Sequence, residues 1–296
     1  MVTLGFVGLG RMGGSMATHL VRNGHEVVVY DSRPEAVEAM AAAGATPAES
    51  AGAVGDAAEV VFLSLPGPEA VEAVASELAA TTDADSVVVD TTTSTPGTTR
   101  AIADPESGLE ATVLGAPVSG GVSGAEDGTL TVMVGGDRAT FEACRAYVDA
   151  FAENVFHVGD DPGHGHAVKL LNNYLSATAM VATSEAVALG QRAGLDIETM
   201  CEIFNVSSGR NSATEEKFPE YVANGRDVGF AIELLAKDLR LLGEFAEDKR
   251  LPLLLAGVVR SQVGRTRARY GEEGDMTDIY DYVRETTGAD EPTDAS

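Results

Sequence analysis

The chain has 296 residues, 44% of them hydrophobic, with 46 acidic residues against 20 basic ones and a formal net charge of −26. That is enough apolar material for one large domain or two ordinary ones, and a surface this acidic repels nucleic acid phosphates and anionic membranes, so neither is expected as a partner. No apolar run approaches the ~18 residues of a membrane span, the N-terminus carries no basic secretory region, and Cys144 and Cys201, both in helical patterns, make no disulfide framework, so a cytoplasmic setting is expected.

In chain order, the apolar run Val2 to Val7 reads as a buried strand. It feeds Gly8-Leu9-Gly10-Arg11-Met12-Gly13, and a helical pattern covers 11–23. Strand, glycine turn and helix form the context that the dinucleotide fingerprint requires. Gly8 allows the tight turn, Gly10 lets a pyrophosphate reach the backbone, and Gly13 lets the helix pack close to the sheet. The helix N-terminus offers free N–H groups and positive dipole to the phosphates. Apolar runs at 26–31, 59–65, 86–90, 111–116, 129–135 and 154–158 read as further strands, with helices at 34–43, 68–79 and 138–150. The alternation, with valine runs suited to strands buried on both faces, predicts an α/β fold with a mainly parallel, doubly wound sheet.

The pattern changes near Asp160-Asp161-Pro162-Gly163. A helix of about 28 residues, His166 to Ala193 with Gly194 as C-cap, would span roughly 42 Å. Helical patterns follow at 196–205, 214–223, 230–247, 251–269 and 276–286. The expected organisation is a Rossmann-like NAD(P)-binding domain over 1–162 and an all-helical substrate and oligomerisation domain over 163–287, joined by the long helix. A flexible acidic tail is expected over 288–296. The junction should form a cleft for a second substrate, and the apolar helical part is expected to build a homodimer or homotetramer.

Acidic residues run the whole length, and most of the 20 basic residues are arginine. Such a composition resembles those of salt-loving cytoplasms, where salt screens the self-repulsion. The unfolding midpoint should therefore rise between low and molar salt; a flat response removes the halophilic reading.

Asp31 ends the second strand, where a carboxylate can bind the adenosine ribose hydroxyls and repel a 2′-phosphate. Arg33 nearby could instead pair with that phosphate, so NAD is favoured and NADP stays open. Ser64-Leu65-Pro66 and Asp90-Thr91-Thr92-Thr93-Ser94-Thr95-Pro96 follow strands, where ligands of parallel sheets bind; each is equally readable as a strand-ending turn. Ser119-Gly120-Gly121 can form an N–H nest for a carboxylate, or a flexible hairpin loop. Lys169 and Asn173, at i and i+4, share one helix face and would face the cleft, although an interfacial lysine can also snorkel to water. His164 and His166 lack an acidic or cysteine partner at ligand spacing, so no metal is expected.

Four motifs in register, covering about residues 2–247, resemble the β-hydroxyacid dehydrogenase family, which includes 3-hydroxyisobutyrate dehydrogenase and tartronate semialdehyde (2-hydroxy-3-oxopropionate) reductase. They are Gly8 to Gly13 with Met16-Ala17, Ala116 to Gly121 with the following Gly-Thr-Leu-Thr, Gly163-x-Gly165-x-x-x-Lys169-x-x-Asn172-Asn173, and Gly229-Phe230 with Lys237-Asp238-Leu239. The resemblance implies a catalytic Lys169. It implies that Asn173 positions the substrate, that Ser119, Gly120 and Gly121 hold its carboxylate, and that Leu65, Pro66, Thr93 and Lys237 contribute to the cofactor site. Gly115 departs from the aspartate that many members carry, and the Arg210-Asn211-Ser212 stretch lacks the aromatic residue common nearby in 3-hydroxyisobutyrate dehydrogenases. The implied reaction is reversible hydride transfer between a small 3-hydroxy acid and nicotinamide, faster in oxidation at alkaline pH because a free lysine, with a pKa of about 10.4, is protonated at neutrality. Three alternatives stand beside it. An imine reductase would usually lack the lysine, a non-catalytic dinucleotide-sensing module would not need it, and 6-phosphogluconate dehydrogenase needs a larger helical domain.

Overall fold

The computed structural model describes residues 2–287; the tail expected at 288–296 lies outside them. The chain divides into two compact units, the first ending at Lys169 and the second beginning at Leu170.

The first unit is built on β1 (Thr3–Val7), β2 (Glu26–Tyr30), β3 (Thr46–Pro47), β4 (Val60–Leu63), β5 (Val87–Asp90), β6 (Thr112–Gly115), β7 (Val118–Ser119), β8 (Leu130–Gly135) and β9 (Ala152–Gly159). The strands lie in the order β3-β2-β1-β4-β5-β6-β8-β7, with β9 beside β8. All pairings are parallel except β6 with β8 and β7 with β8. Successive side chains of a strand point to opposite faces, and β4 shows the consequence. Val60 and Phe62 join a core with Leu4, Phe6, Met16, Leu20 and Phe151, whereas Val61 and Leu63 join one with Val54, Val71, Leu78 and Ile102 on the other face.

Helices α1 (Arg11–Arg22), α2 (Pro34–Ala42), α3 (Ala51–Ala57), α4 (Pro68–Leu78), α5 (Pro96–Ala103), α6 (Gly121–Asp127) and α7 (Arg138–Val148) connect the strands. Sequence periodicity misses α3, α5 and α6, which are short and rich in small residues, and also the two-residue strands β3 and β7. Their signals are local. Ser50 caps α3 by accepting from the Ala53 N–H at 3.0 Å, and Thr95 caps α5 by accepting from the Thr98 N–H at 3.1 Å, with Pro96 at the first helical position.

Helix α8 (His164–Arg192, 29 residues) starts in the first unit and runs on into the second. Gly194, at φ +85°, follows it as the sequence predicts. The second unit continues with α9 (Ile197–Asn205), a π-helix (Ala213–Tyr221), α10 (Ile232–Asp248), α11 (Leu254–Tyr270) and α12 (Asp278–Thr287). Its core includes Leu170, Met180, Val187, Phe218, Ile232, Leu241, Val259 and Ile279. An α-helix is expected over 214–223. The wider π turn there holds Pro219, which cannot donate a backbone N–H to a regular ladder.

Candidate active site

At the end of β1 the three glycines carry distinct constraints. A Cβ on Gly8 would lie 2.2 Å from the Ser64 carbonyl oxygen, and one on Gly13 would lie 2.0 Å from the Gly8 carbonyl oxygen. A side chain at either position would push strand, turn and helix apart. Gly10 has open space instead, with nothing within 4 Å of the Cβ position. No side chain caps α1, so its first N–H groups are available to an anion. This cradle fits a dinucleotide pyrophosphate. Beside it runs a groove of about 630 Å³, lined among others by Leu9, Gly10, Arg11, Ser15, Arg22 and Arg33.

Asp31 follows β2. Its Oδ2 accepts the Leu9 N–H at 2.7 Å, and Arg33 donates from N and Nε to Oδ1 at 2.9 and 3.0 Å. Burial alone would raise the carboxyl pKa; the Arg33 guanidinium and the two N–H donors outweigh it and hold the pKa below the usual carboxylate range. Arg33 is therefore already partnered. Leu65, Pro66 and Thr93 sit on the turns after β4 and β5, which are tied together: the Leu65 N–H donates to Thr92 Oγ1 at 3.0 Å, and the Thr92 N–H donates to Asp90 Oδ1 at 3.0 Å.

Ser119 ends β7. Gly120 and Gly121 follow at φ +132° and +65°, conformations that disfavour a side chain. The helix they open, α6, rests on α1 through His19, whose Nε2 lies 3.1 and 3.0 Å from the Ala125 and Glu126 carbonyl oxygens.

Gly163 and Gly165 seat the start of α8. Cβ atoms there would lie 2.7 Å from the Pro96 carbonyl oxygen and 2.2 Å from that of Gly115. Arg100 Nε reaches both oxygens of Asp161 at 2.9 Å, and Asp161 Oδ1 accepts the Gly163 N–H at 2.8 Å. This close docking carries the first unit past residue 162 to Lys169. Lys169 is buried, as is Asn173 one turn on. Asn173 Nδ2 donates to Asp238 Oδ2 of α10 at 2.6 Å; Lys237 Nζ stands 3.7 Å from the other Asp238 oxygen.

Two family models match. The NAD binding domain of 6-phosphogluconate dehydrogenase covers residues 3–159, and the NAD-binding of NADP-dependent 3-hydroxyisobutyrate dehydrogenase covers 163–283. The 2-(hydroxymethyl)glutarate dehydrogenase of Eubacterium barkeri is 36% identical over 293 residues, covering 97% of this chain and 96% of that one. The chain belongs to the β-hydroxyacid dehydrogenase family. An NAD-dependent L-serine dehydrogenase of Pseudomonas aeruginosa is 40% identical over 83% of this chain and 86% of its own. The solved Mycobacterium tuberculosis 3-hydroxyisobutyrate dehydrogenase with L-serine has a TM-score of 0.90 at 28% identity, covering 96% of this chain and 99% of that one. Membership makes the chain an NAD(P)-dependent oxidoreductase acting on CH–OH donors, like 3-hydroxyisobutyrate dehydrogenase.

Within that family frame, the sequence reading misses two contacts beside the candidate site residues. One is Asp238, whose carboxylate orients the Asn173 amide; it lies inside the Lys237-Asp238-Leu239 motif, where only the lysine is given a role. The other is His166, set aside for want of an acidic partner. Asp90 supplies one: His166 Nε2 lies 3.5 Å from Asp90 Oδ2, with both side chains fully buried. Burial pushes Asp90 up to about 7 and His166 down to about 3. Between these two values the pair holds its proton on Asp90, beside a neutral imidazole. The departure at Gly115 belongs to this pair, because a Cβ there would come within 3.0 Å of His166 Nε2 and 2.2 Å of the Pro162 carbonyl oxygen. The missing side chain is the space that the imidazole fills.

Proposed function

We propose that the chain reversibly oxidises the primary alcohol of a small 3-hydroxy acid to its semialdehyde, as a 3-hydroxyisobutyrate dehydrogenase does, with NAD preferred. Reduction of 2-hydroxy-3-oxopropionate is the same chemistry run the other way. The observation that carries the reading is the buried Lys169 one helical turn from an Asn173 whose amide Asp238 holds in place. The nicotinamide, when bound, supplies the hydride acceptor. Lys169 takes the hydroxyl proton in oxidation and returns it in reduction. Asn173 offers its second amide hydrogen and the remaining lone pair of Oδ1, which also accepts the Asn172 amide at 3.4 Å, to the substrate hydroxyl, and does so without changing charge. Ser119, Gly120 and Gly121 hold the carboxylate. Gly8 to Gly13 hold the pyrophosphate, and Leu65, Pro66 and Thr93 border the cofactor. Lys237 is the family's further cofactor contact. A panel of 3-hydroxy acids and semialdehydes, assayed with both cofactors at high salt, tests the reading; no turnover of any member overturns it.

The cofactor preference rests on Asp31. A 2′-phosphate on a ribose bound beyond β2 would meet this ionised carboxylate, with Arg33 already engaged by it. Asp31→Ser removes the repulsion and releases Arg33. The ratio of kcat/KM for NADP to that for NAD should rise at least about tenfold, the effect of roughly 1.4 kcal/mol. An unchanged ratio assigns the preference elsewhere. Assembly as a homo-oligomer through the helical unit is supported by its exposed Leu175, Leu189, Leu254 and Val258.

A further inference from the structure

We propose that Lys217, Ser212 and Ser176 form an anion subsite for a second carboxylate of the substrate, so that the preferred substrates are 3-hydroxy acids with two carboxylates. This rests on the hydroxy-acid reading above and narrows it.

Lys217 lies on the π-helix and is 8% exposed. Its Nζ donates to Ser212 Oγ at 3.1 Å and to Ser176 Oγ at 3.3 Å. Both partners are neutral. Among the described residues it forms no ion pair: Glu215 is taken by Arg210 at 2.6 Å, and Glu216, the adjacent residue, acts on it only through its field. A buried ammonium with no carboxylate in contact is costly; burial pulls the Lys217 pKa down, and the charge of Glu216 offsets this only in part. An incoming anion removes that cost. The ammonium has three donors and spends two on the serines, while each serine can accept from the lysine and donate its own proton onward. One ammonium proton and two hydroxyl protons can thus converge on a carboxylate.

The cluster is a built one. Asn211 Oδ1 accepts the Ala213 N–H at 2.8 Å and so fixes the turn that carries Ser212. Phe218, next to Lys217, is fully buried and packs edge-on against Tyr280 with ring centroids 5.3 Å apart. Its position on the chain relates it to the reaction. Ser176 is three residues beyond Asn173 on α8, a rise of about 4.5 Å and an offset of about 60° around the helix. That spacing suits an acid group a few carbons from the hydroxymethyl carbon.

The test compares acids that share the reacting end and differ in the second arm: 3-hydroxyisobutyrate against 2-(hydroxymethyl)succinate and 2-(hydroxymethyl)glutarate. The wild-type protein should favour a two-carboxylate acid. In Lys217→Met the ratio of kcat/KM between two-carboxylate and one-carboxylate acids should fall on the order of 100-fold, mostly through KM, and Lys217→Arg should recover part of it. A folded Lys217→Met with an unchanged ratio overturns the subsite while leaving the hydroxy-acid reading intact. If no acid is turned over, that reading fails, and calorimetry of glutarate against butyrate on the cofactor-loaded wild-type protein decides the subsite alone: tighter glutarate binding supports it, equal binding overturns it. If Lys217→Met does not fold, the Ser176→Ala, Ser212→Ala double variant takes its place, with an expected loss of about tenfold in the ratio.

Discussion

Replacing Lys169 by alanine should lower kcat by two to four orders of magnitude while leaving the cofactor dissociation constant within about twofold. The alcohol oxygen must lose its proton as the hydride leaves. The glycines at 163 and 165 let the start of α8 sit against backbone carbonyls, which fixes the turn of helix that leads to the lysine. Removing the amine leaves the pyrophosphate cradle untouched, so ground-state binding of the dinucleotide survives and the loss falls on kcat and kcat/KM together. Single-turnover kinetics and a fluorescence titration with reduced cofactor separate the two quantities. A variant that keeps kcat within tenfold of wild type would show that another group moves the proton.

The Asp90–His166 pair should give two variants whose stabilities depend on pH in opposite directions. His166, depressed from 6.5 to about 3, contributes stability that is present above pH 6.5 and lost as pH falls toward 3. Asp90, raised from 3.8 to about 7, contributes stability that is present below pH 3.8 and lost as pH rises through 7. Between about pH 4 and 6.5 the unfolded chain carries a proton on the histidine and the folded chain carries one on the aspartate. Unfolding then exchanges no net proton at this pair, and the two slopes cancel. In His166→Gln only the aspartate remains, so stability relative to wild type should fall with rising pH by up to ~1.4 kcal/mol per unit between pH 4 and 6.5. In Asp90→Asn only the histidine remains, and stability relative to wild type should fall by a similar amount per unit as pH drops through the same range. Urea melts at pH 4.5, 5.5 and 6.5 measure both. Parallel slopes for the two variants would mean that the groups do not exchange a proton on folding.

The fold was legible because its signals repeat. Valine runs, intervening helical periods and the glycine turn at Gly8 each point to the same parallel sheet, and the uninterrupted stretch before Gly194 points to one long helix. Elements held by a single cap or a small-residue contact, such as α3 behind Ser50, leave no periodic trace. At the site, Lys169 and Asn173 stood out because i, i+4 spacing is a property of one helix. Asp90 with His166, Asn173 with Asp238 and Lys217 with Ser176 pair residues 76, 65 and 41 positions apart. Such pairs depend on how elements pack, and nothing in the local sequence of either partner reveals the other. Arg210-Asn211-Ser212 marked a departure from the family pattern in the sequence, and the contact of Ser212 with Lys217 became visible only in the structure.

The bare N-terminus of α1 has a consequence for the protein as a material. With Gly10 in the capping position and no side chain on the first-turn N–H groups, the helix that packs Met16 and Leu20 into the core is left for the dinucleotide to finish. Ligand binding and folding are then one equilibrium. At a hundredfold excess over the dissociation constant the cofactor adds about 2.7 kcal/mol to stability by mass action, a sizeable part of what a domain of this kind possesses. The stability of the folded enzyme should thus rise with the concentration of nicotinamide dinucleotide, independently of catalysis.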